Sequence, residues 1–153
     1  MQVCARVVMV SADRRVLLMK TKTWTGDLWV TPGGRVHDGE DVRAAARREA
    51  HEETGLTGVE LGAEIWVREW TFLRQNGERA RQREHFFLLR CDEFDPTDLR
   101  MEHAERNVHR GYRWWAPADI VASTEYFAPP QIGRLLLDLG RLGSPATPAG
   151  IVG

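Results

Sequence analysis

Two stretches near the start of the chain, Val3 to Val10 and Arg15 to Lys20, are apolar and rich in strand-forming residues. Ser11-Ala12-Asp13-Arg14 between them has turn chemistry, so a β-hairpin is expected. Asp27 to Thr31 predicts a short third strand, stopped by Pro32-Gly33-Gly34. From about Asp41 to Thr54 the pattern becomes helical, and Gly55 is placed to cap that helix in a left-handed conformation. Asp38 and Glu40 lie at its start, where negative charge suits the helix dipole. Val59 to Phe72 and Ala80 to Cys91 predict two long strands, and Asn76-Gly77 in the segment between them is a two-residue hairpin signal. Asp92 to His109 is polar and irregular, a loop long enough to carry function. Gly111 to Ala116 predicts another strand, and Pro117 suits the first position of a short helix. Pro129 to Leu142 predicts a last, amphipathic helix with Ile132, Leu135, Leu136 and Leu139 on one face. Residues 143–153 are rich in Gly, Pro and Ala and are expected to form a flexible tail behind one domain spanning residues 1–142. Hairpins together with a crossover helix indicate an α+β fold around a mixed sheet.

Composition narrows the function. At 153 residues, 42% hydrophobic and 28% charged, the chain is of ordinary single-domain size and globular composition. A net charge of -1 gives no global reason to expect a nucleic acid polymer or a membrane surface as partner. Cys4 and Cys91 sit in apolar runs without ligand-type spacing, so both are expected to be buried, reduced thiols. The first residues lack the features of a signal peptide, and no apolar run approaches membrane-spanning length. A cytoplasmic protein is the expectation.

The densest chemistry lies around the predicted helix. Gly34 is followed by Glu40, then by Arg48-Glu49-Ala50-His51-Glu52-Glu53-Thr54-Gly55-Leu56. At about 100° per residue, Glu53 falls roughly 40° to one side of Glu49 and Glu52 roughly 60° to the other. Three carboxylates therefore share one edge, while Ala46 and Ala50 can pack on a sheet and Arg43, Arg47 and His51 point to solvent. Arg48, one turn before Glu52, is placed to hold a carboxylate in position. Such a cluster repels itself unless a cation sits in it. Carboxylates without Cys or paired His select a hard ion, Mg²⁺ first and Mn²⁺ next. Mg²⁺ completes its shell with water and phosphate oxygens, so a phosphate substrate follows.

The run from Gly34 to Leu56 resembles the signature box of the Nudix hydrolases. Gly34, Glu40, Arg48, Glu49, Glu52, Glu53 and Gly55 all match it, and Ala50 and Leu56 fill its apolar positions. The resemblance implies a Nudix-type α/β/α sandwich with a mixed β-sheet. It also implies hydrolysis of a diphosphate bond in a nucleoside diphosphate linked to another moiety. It assigns Glu49, Glu52, Glu53 and the Gly33 carbonyl to the metal, and Arg48 and Glu40 to supporting roles. The general base would be a box glutamate or a carboxylate of the later loop, where Glu102 and Glu105 lie and Glu105 is preferred. Sanitation of a modified nucleoside triphosphate is a rival activity, and a non-catalytic nucleotide-sensing module is a rival of another class. A monomer or a homodimer is expected.

For substrate contacts, Trp24, Trp29, Trp66 and Trp70 are placed to surround a cleft, although each would serve a core equally well. Trp29 and Trp66 are taken as the stacking candidates. Arg6, Arg68, Arg74, Arg79, Arg81 and Arg83 could supply phosphate contacts, most of them being expected as solvated flank charges; Arg6, which interrupts an apolar strand, is the exception, and Arg83 is taken with it as a substrate-binding candidate.

Overall fold

A computed structural model describes residues 1–97 and 109–152, with backbone only at 109 and 110. In chain order the elements are β1 (Gln2–Val10), β2 (Val16–Thr23), β3 (Gly26–Val30), β4 (Gly33–Arg35), α1 (Val42–Thr54), β5 (Glu64–Leu73), β6 (Arg79–Arg90), β7 (His109–Trp115), α2 (Pro117–Ala122), β8 (Phe127–Ala128), α3 (Ile132–Leu142) and β9 (Ala149–Val152). The strands form one mixed sheet in the order β8-β3-β2-β1-β6-β5-β9, with β4 paired to β1 and β7 to β2.

The sheet is buried on both faces, which is why β1 reads as a nearly unbroken apolar run rather than an alternating one. Ala5, Val7 and Met9 face α1 and pack with its Ala45, Ala46 and Ala50. Val8 and Val10 face the other way, into a cluster with Ile120 of α2 and Ile132, Leu136 and Leu139 of α3. Burying each of these larger aliphatic side chains contributes about 1.5–3 kcal/mol, which holds both helix layers on the sheet. The α/β/α sandwich is therefore present.

Local chemistry sets the element ends. Asp41 caps α1 by accepting from the Ala44 amide at 3.2 Å, and Gly55 ends it at φ 77 with its N–H donating to His51 O. The β5–β6 hairpin is one residue longer than the two-residue turn Asn-Gly suggests. Arg74 and Glu78 close it, and Gly77 takes the left-handed position at φ 87. Arg43 does not point to solvent; it donates to the carbonyls of Leu61 and Gly62 at 2.7 and 2.8 Å and stacks over Phe87.

Three strands escape the sequence pattern. β4 contains two glycines, and β8 has two residues. β9 lies where a flexible tail is expected: residues 149–152 pair in parallel with β5, and Ile151 is buried in the core. An open edge of β5 and one well-placed apolar side chain are enough to order that segment.

The feature that positions the site is a change of partner along β1. Its end pairs with β2, Val10 opposite Val16, whereas its start pairs with β4, Cys4–Arg6 opposite Arg35–Gly33. At the junction the Val7 amide donates to Pro32 O at 2.8 Å. The sheet opens there, as at the strand divergences where α/β sheets take their ligands.

Candidate active site

The Gly33–Gly34 loop presses onto the inner edge of α1. A Cβ on Gly33 would lie 2.2 Å from the Ala5 carbonyl, and the residue sits at φ 154, so only glycine fits. A Cβ on Gly34 would lie 2.5 Å from Glu49 Oε1. Glu49 and Glu53 are both buried, which an ionised carboxylate tolerates only with compensating partners. The Gly33 N–H donates to Glu53 Oε2 at 2.8 Å, while the Tyr112 hydroxyl donates to the main-chain carbonyl of Glu53 and so holds the backbone rather than the carboxylate.

Arg48 is the hub of the remaining acids. It grips Glu40 with two bonds, Nε to Oε2 at 2.8 Å and Nη2 to Oε1 at 3.0 Å. Its Nη1 donates to Glu49 Oε1 at 2.9 Å and to Glu52 Oε2 at 3.3 Å, and its Nη2 also reaches the Arg35 carbonyl. The paired hydrogen bonds from Arg48, with one from the His37 amide, hold the Glu40 carboxyl down at about 2. Reciprocally, Glu40 raises the Arg48 pKa, so the fork stays charged.

The expected ligands Glu49, Glu52 and Glu53 thus share one edge of α1, with the Gly33 backbone against them. They do not converge on a point as they stand: among the described residues no three His, Cys, Asp or Glu side chains form a ligating group. The cause is visible in the bonds above. Arg48 supplies the positive charge for Glu49 and Glu52, and a backbone amide takes Glu53. An all-oxygen donor set, without thiol or imidazole, pressed against a glycine backbone suits a hard divalent cation. Glu105 lies outside the described residues.

On the other side of Gly33 the opened sheet forms a cleft of about 930 Å³. Its walls include Trp24 and Leu28 from the β2–β3 side and Trp70, Phe72 and Gln82 from the β5–β6 side, with Arg6 among its lining residues. Arg6 donates from Nε to Glu84 Oε2 at 2.9 Å, and its Nη1 lies 3.4 Å from the carbonyls of Thr31 and Gly33. Glu84 also accepts from Arg68 Nη1 at 3.1 Å, and the Arg68 guanidinium stacks on Trp70 at 4.3 Å. Burial opposes the charge on Arg6, but Glu84, Cys4 and Glu53 outweigh it and raise its pKa. Burial lowers that of Arg68, against the pull of Glu84.

Of the sequence candidates, Arg6, Trp24 and Trp70 reach the cleft, and Trp29, Trp66 and Arg83 do not. Trp29 is 7% exposed, meets Trp115 edge to face at 5.3 Å and donates its indole N–H to Glu125. Trp66 is 3% exposed and packs on Phe86. Both rings are spent on the core and offer no face to a ligand. Arg83 alternates to the opposite face of β6 from Glu84 and Gln82 and pairs with Glu69 there. The tryptophans at the cleft are Trp24 and Trp70. Gln82 and Glu84 were not singled out by sequence reasoning, although their parity with Phe86 and Leu88 places them on an inward face.

Comparison with known proteins agrees with this construction. The NUDIX domain profile matches residues 1–136. The chain is 31% identical over 121 residues to the RNA pyrophosphohydrolase of Sphingopyxis alaskensis, covering 72% of this chain and 75% of that protein. It is 25% identical to Nudix hydrolase 25 of Arabidopsis thaliana, over 88% of this chain and 87% of that one. Among solved structures, the MutT protein of Methanosarcina mazei superposes with a TM-score of 0.66 at 14% identity, over 92% of this chain and 95% of that one. The E. coli dihydroneopterin triphosphate pyrophosphohydrolase superposes with a TM-score of 0.63 at 23% identity, over 89% and 92%. With its box intact on α1 and its sheet matching these folds, the chain belongs to the Nudix hydrolases, enzymes that act on pyrophosphate bonds.

Proposed function

We propose that this chain hydrolyses the diphosphate bond of a nucleoside diphosphate linked to another moiety, with Mg²⁺ or Mn²⁺ as the activating ion. The supporting observation is one juxtaposition. Acids gathered on the edge of α1 lie on one side of Gly33, and a cleft with aromatic walls and a buried arginine opens on the other. Glu49, Glu52, Glu53 and the Gly33 carbonyl would hold the cation. When bound, such an ion lowers the pKa of water and offsets the negative charge of the anhydride. Arg48 holds Glu49, Glu52 and the Glu40 loop in register for that role, acting on the carboxylates rather than on the substrate. The proton of the attacking water passes to a carboxylate, Glu105 or one of the helix glutamates. The cleft walls take the nucleoside.

A second reading has a specific source: the 31% identical relative is an RNA pyrophosphohydrolase. On that reading the substrate is a 5′-triphosphorylated RNA end, against the near-neutral charge balance that argues for a small molecule. Product analysis separates the two. A nucleoside monophosphate and a phosphorylated partner support the first, pyrophosphate from RNA the second, and pyrophosphate from a free nucleoside triphosphate indicates sanitation. Glu53→Gln should lower turnover by about 10²–10⁴-fold with the fold retained. Unchanged turnover would remove the proposed role of α1, and nucleotide binding without hydrolysis in either ion would make the chain a sensor.

A further inference from the structure

The floor of the cleft carries an amide whose orientation its neighbours fix. Gln2 of β1, Gln82 of β6 and Trp70 of β5 stand in one row across the sheet, Gln2 opposite Gln82 and Gln82 opposite Trp70. Gln82 lines the cleft and is 7% exposed. Gln2 lies between Gln82 and two guanidiniums. A guanidinium can only donate, so the Gln2 oxygen faces that way, accepting from Arg74 Nη2 at 2.9 Å and Arg35 Nη2 at 3.0 Å. The Gln2 nitrogen is thereby turned to Gln82 and donates to its Oε1 at 3.3 Å.

With Oε1 turned to Gln2, the Gln82 Nε2 donor is left over. It has no hydrogen-bond partner among the described residues, yet it is not sealed from solvent. Gln2 flanks the side chain on one strand and Trp70 on the other, so the direction that remains is the cleft. A donor in so buried a residue calls for an acceptor from whatever fills the space beside it. Distance along the strand says which part of a nucleotide that is. Gly33 stands opposite Arg6, four residues from Gln2, about 13 Å at the rise of a strand. A sugar and its phosphate occupy that interval, which leaves the base at Gln82. On the β2–β3 side of the cleft Trp24 is 57% exposed, an aromatic face on which a base can stack.

We propose that Gln82 selects the base by donating from Nε2 to a ring oxo group, so that the cleft prefers an oxo base such as hypoxanthine or uracil to an amino base such as adenine or cytosine. An amino group brings a second donor to Nε2 and leaves both unpaired. The two-bond pairing of an amide with adenine needs oxygen and nitrogen facing the base together, and here the oxygen is turned away. Gln2 is a positioning residue that acts through Gln82. This deepens the reading that the cleft takes the nucleoside, and it rests on that reading.

The test is binding without metal, which keeps it apart from hydrolysis. Calorimetric titrations in EDTA compare inosine with adenosine monophosphate and uridine with cytidine monophosphate, pairs that differ by one exchange of oxo for amino. In whichever size class binds, the oxo member should bind about tenfold or more tighter, the scale on which a hydrogen-bonding site rejects a mismatched group. Gln82→Met should level the pair to within about twofold. Gln82→Glu presents an acceptor in place of the donor and should reverse the preference. Gln2→Glu keeps an oxygen for Arg35 and Arg74 but has no N–H for Gln82, so the preference should shrink to within about twofold while the oxo nucleotide still binds. Equal affinity within a pair, or preference for the amino member, in the unmodified protein overturns the proposal even if every variant fails to fold. A preference that survives Gln82→Met overturns the role of Gln82, and one that survives Gln2→Glu overturns the role of Gln2. Binding of all four nucleotides alike sinks the base selection alone, whereas saturable binding of none at millimolar concentration sinks the nucleotide reading of the cleft and the selection with it.

Discussion

Gly34→Ala separates the fold from the chemistry at a single atom. The added Cβ would lie 2.5 Å from Glu49 Oε1, 2.6 Å from its Cδ and 2.9 Å from Oε2. Ordinary contact begins at 3.4 Å, so the carboxylate must withdraw by about 0.9 Å. It has little room to do so, because Glu49 is 3% exposed and Arg48 Nη1 holds Oε1 at 2.9 Å. The clash is nevertheless with the end of a side chain and not with backbone. Gly34 also has no left-handed backbone for alanine to strain. Overpacking therefore falls near the low end of its usual range, about 1 kcal/mol, or roughly 2–4 °C in Tm for a domain of this size. Displacing a catalytic group by about 1 Å costs about 10²-fold in rate. The expected outcome is a small loss in a thermal melt beside a large loss of kcat on the substrate found by screening. Gly150→Ala, where a Cβ meets nothing within 4 Å, is the control expected to change neither. Full activity in Gly34→Ala would refute the assignment of Glu49 to the reacting centre. An equal collapse of both quantities would mean that the loop, and not the carboxylate, had moved.

Two further outcomes follow from named contacts. Arg48 holds the Glu40 carboxyl at about 2 against 4.5 when free, so its contribution to stability is present above about pH 4.5 and is lost as pH falls through about 2. Glu40→Gln should flatten the fall in unfolding free energy across that window, read by denaturant titration at stepped pH, and an unchanged slope would show that the fork does not hold in solution. Trp29→Phe keeps a ring against Trp115 and Phe127 but removes the indole bond to Glu125, so stability should fall by about 1–2 kcal/mol while KM stays put; a raised KM would return Trp29 to the cleft.

The α1 acids were legible because helical period converts sequence spacing directly into a shared edge. Glu49, Glu52 and Glu53 need no tertiary information to be neighbours, and Arg48 needs only one turn to reach Glu52. Convergence on a cation was not legible in the same way, since it depends on which partner each carboxylate takes. β4 illustrates the opposite limit. Gly33-Gly34-Arg35 has no strand propensity, and the segment is extended because β1 offers it a ladder at Cys4–Arg6. β9 likewise exists because β5 has an edge to pair with, a fact stored far from Ala149–Val152 in the chain.

The tryptophans expose a finer limit. Trp66 and Trp70 lie four residues apart on the same face of β5, and alternation alone treats them as equals. Trp66 stands opposite Phe86, under the α2–α3 layer, and Trp70 opposite Gln82, beyond it. Parity reports which face a side chain takes; it does not report how far along the strand the covering helices reach. A signal for that boundary does exist in the sequence. Along inward positions the chemistry changes from polar to apolar between Arg6 and Val8 on β1, between Glu84 and Phe86 on β6, and between Arg68 and Trp66 on β5. Arg68 pairs with Glu84 and Trp66 with Phe86, so the changes on β5 and β6 are level, while Arg6 stands opposite Phe86 and Val8 opposite Leu88, so the boundary steps two residues further along at β1. Charges placed inward on three neighbouring strands within one step of each other mark where a core stops and a cleft begins, because buried charge survives only where partners or a ligand meet it. Once strand pairing is known, that boundary finds the cleft before any cavity is measured.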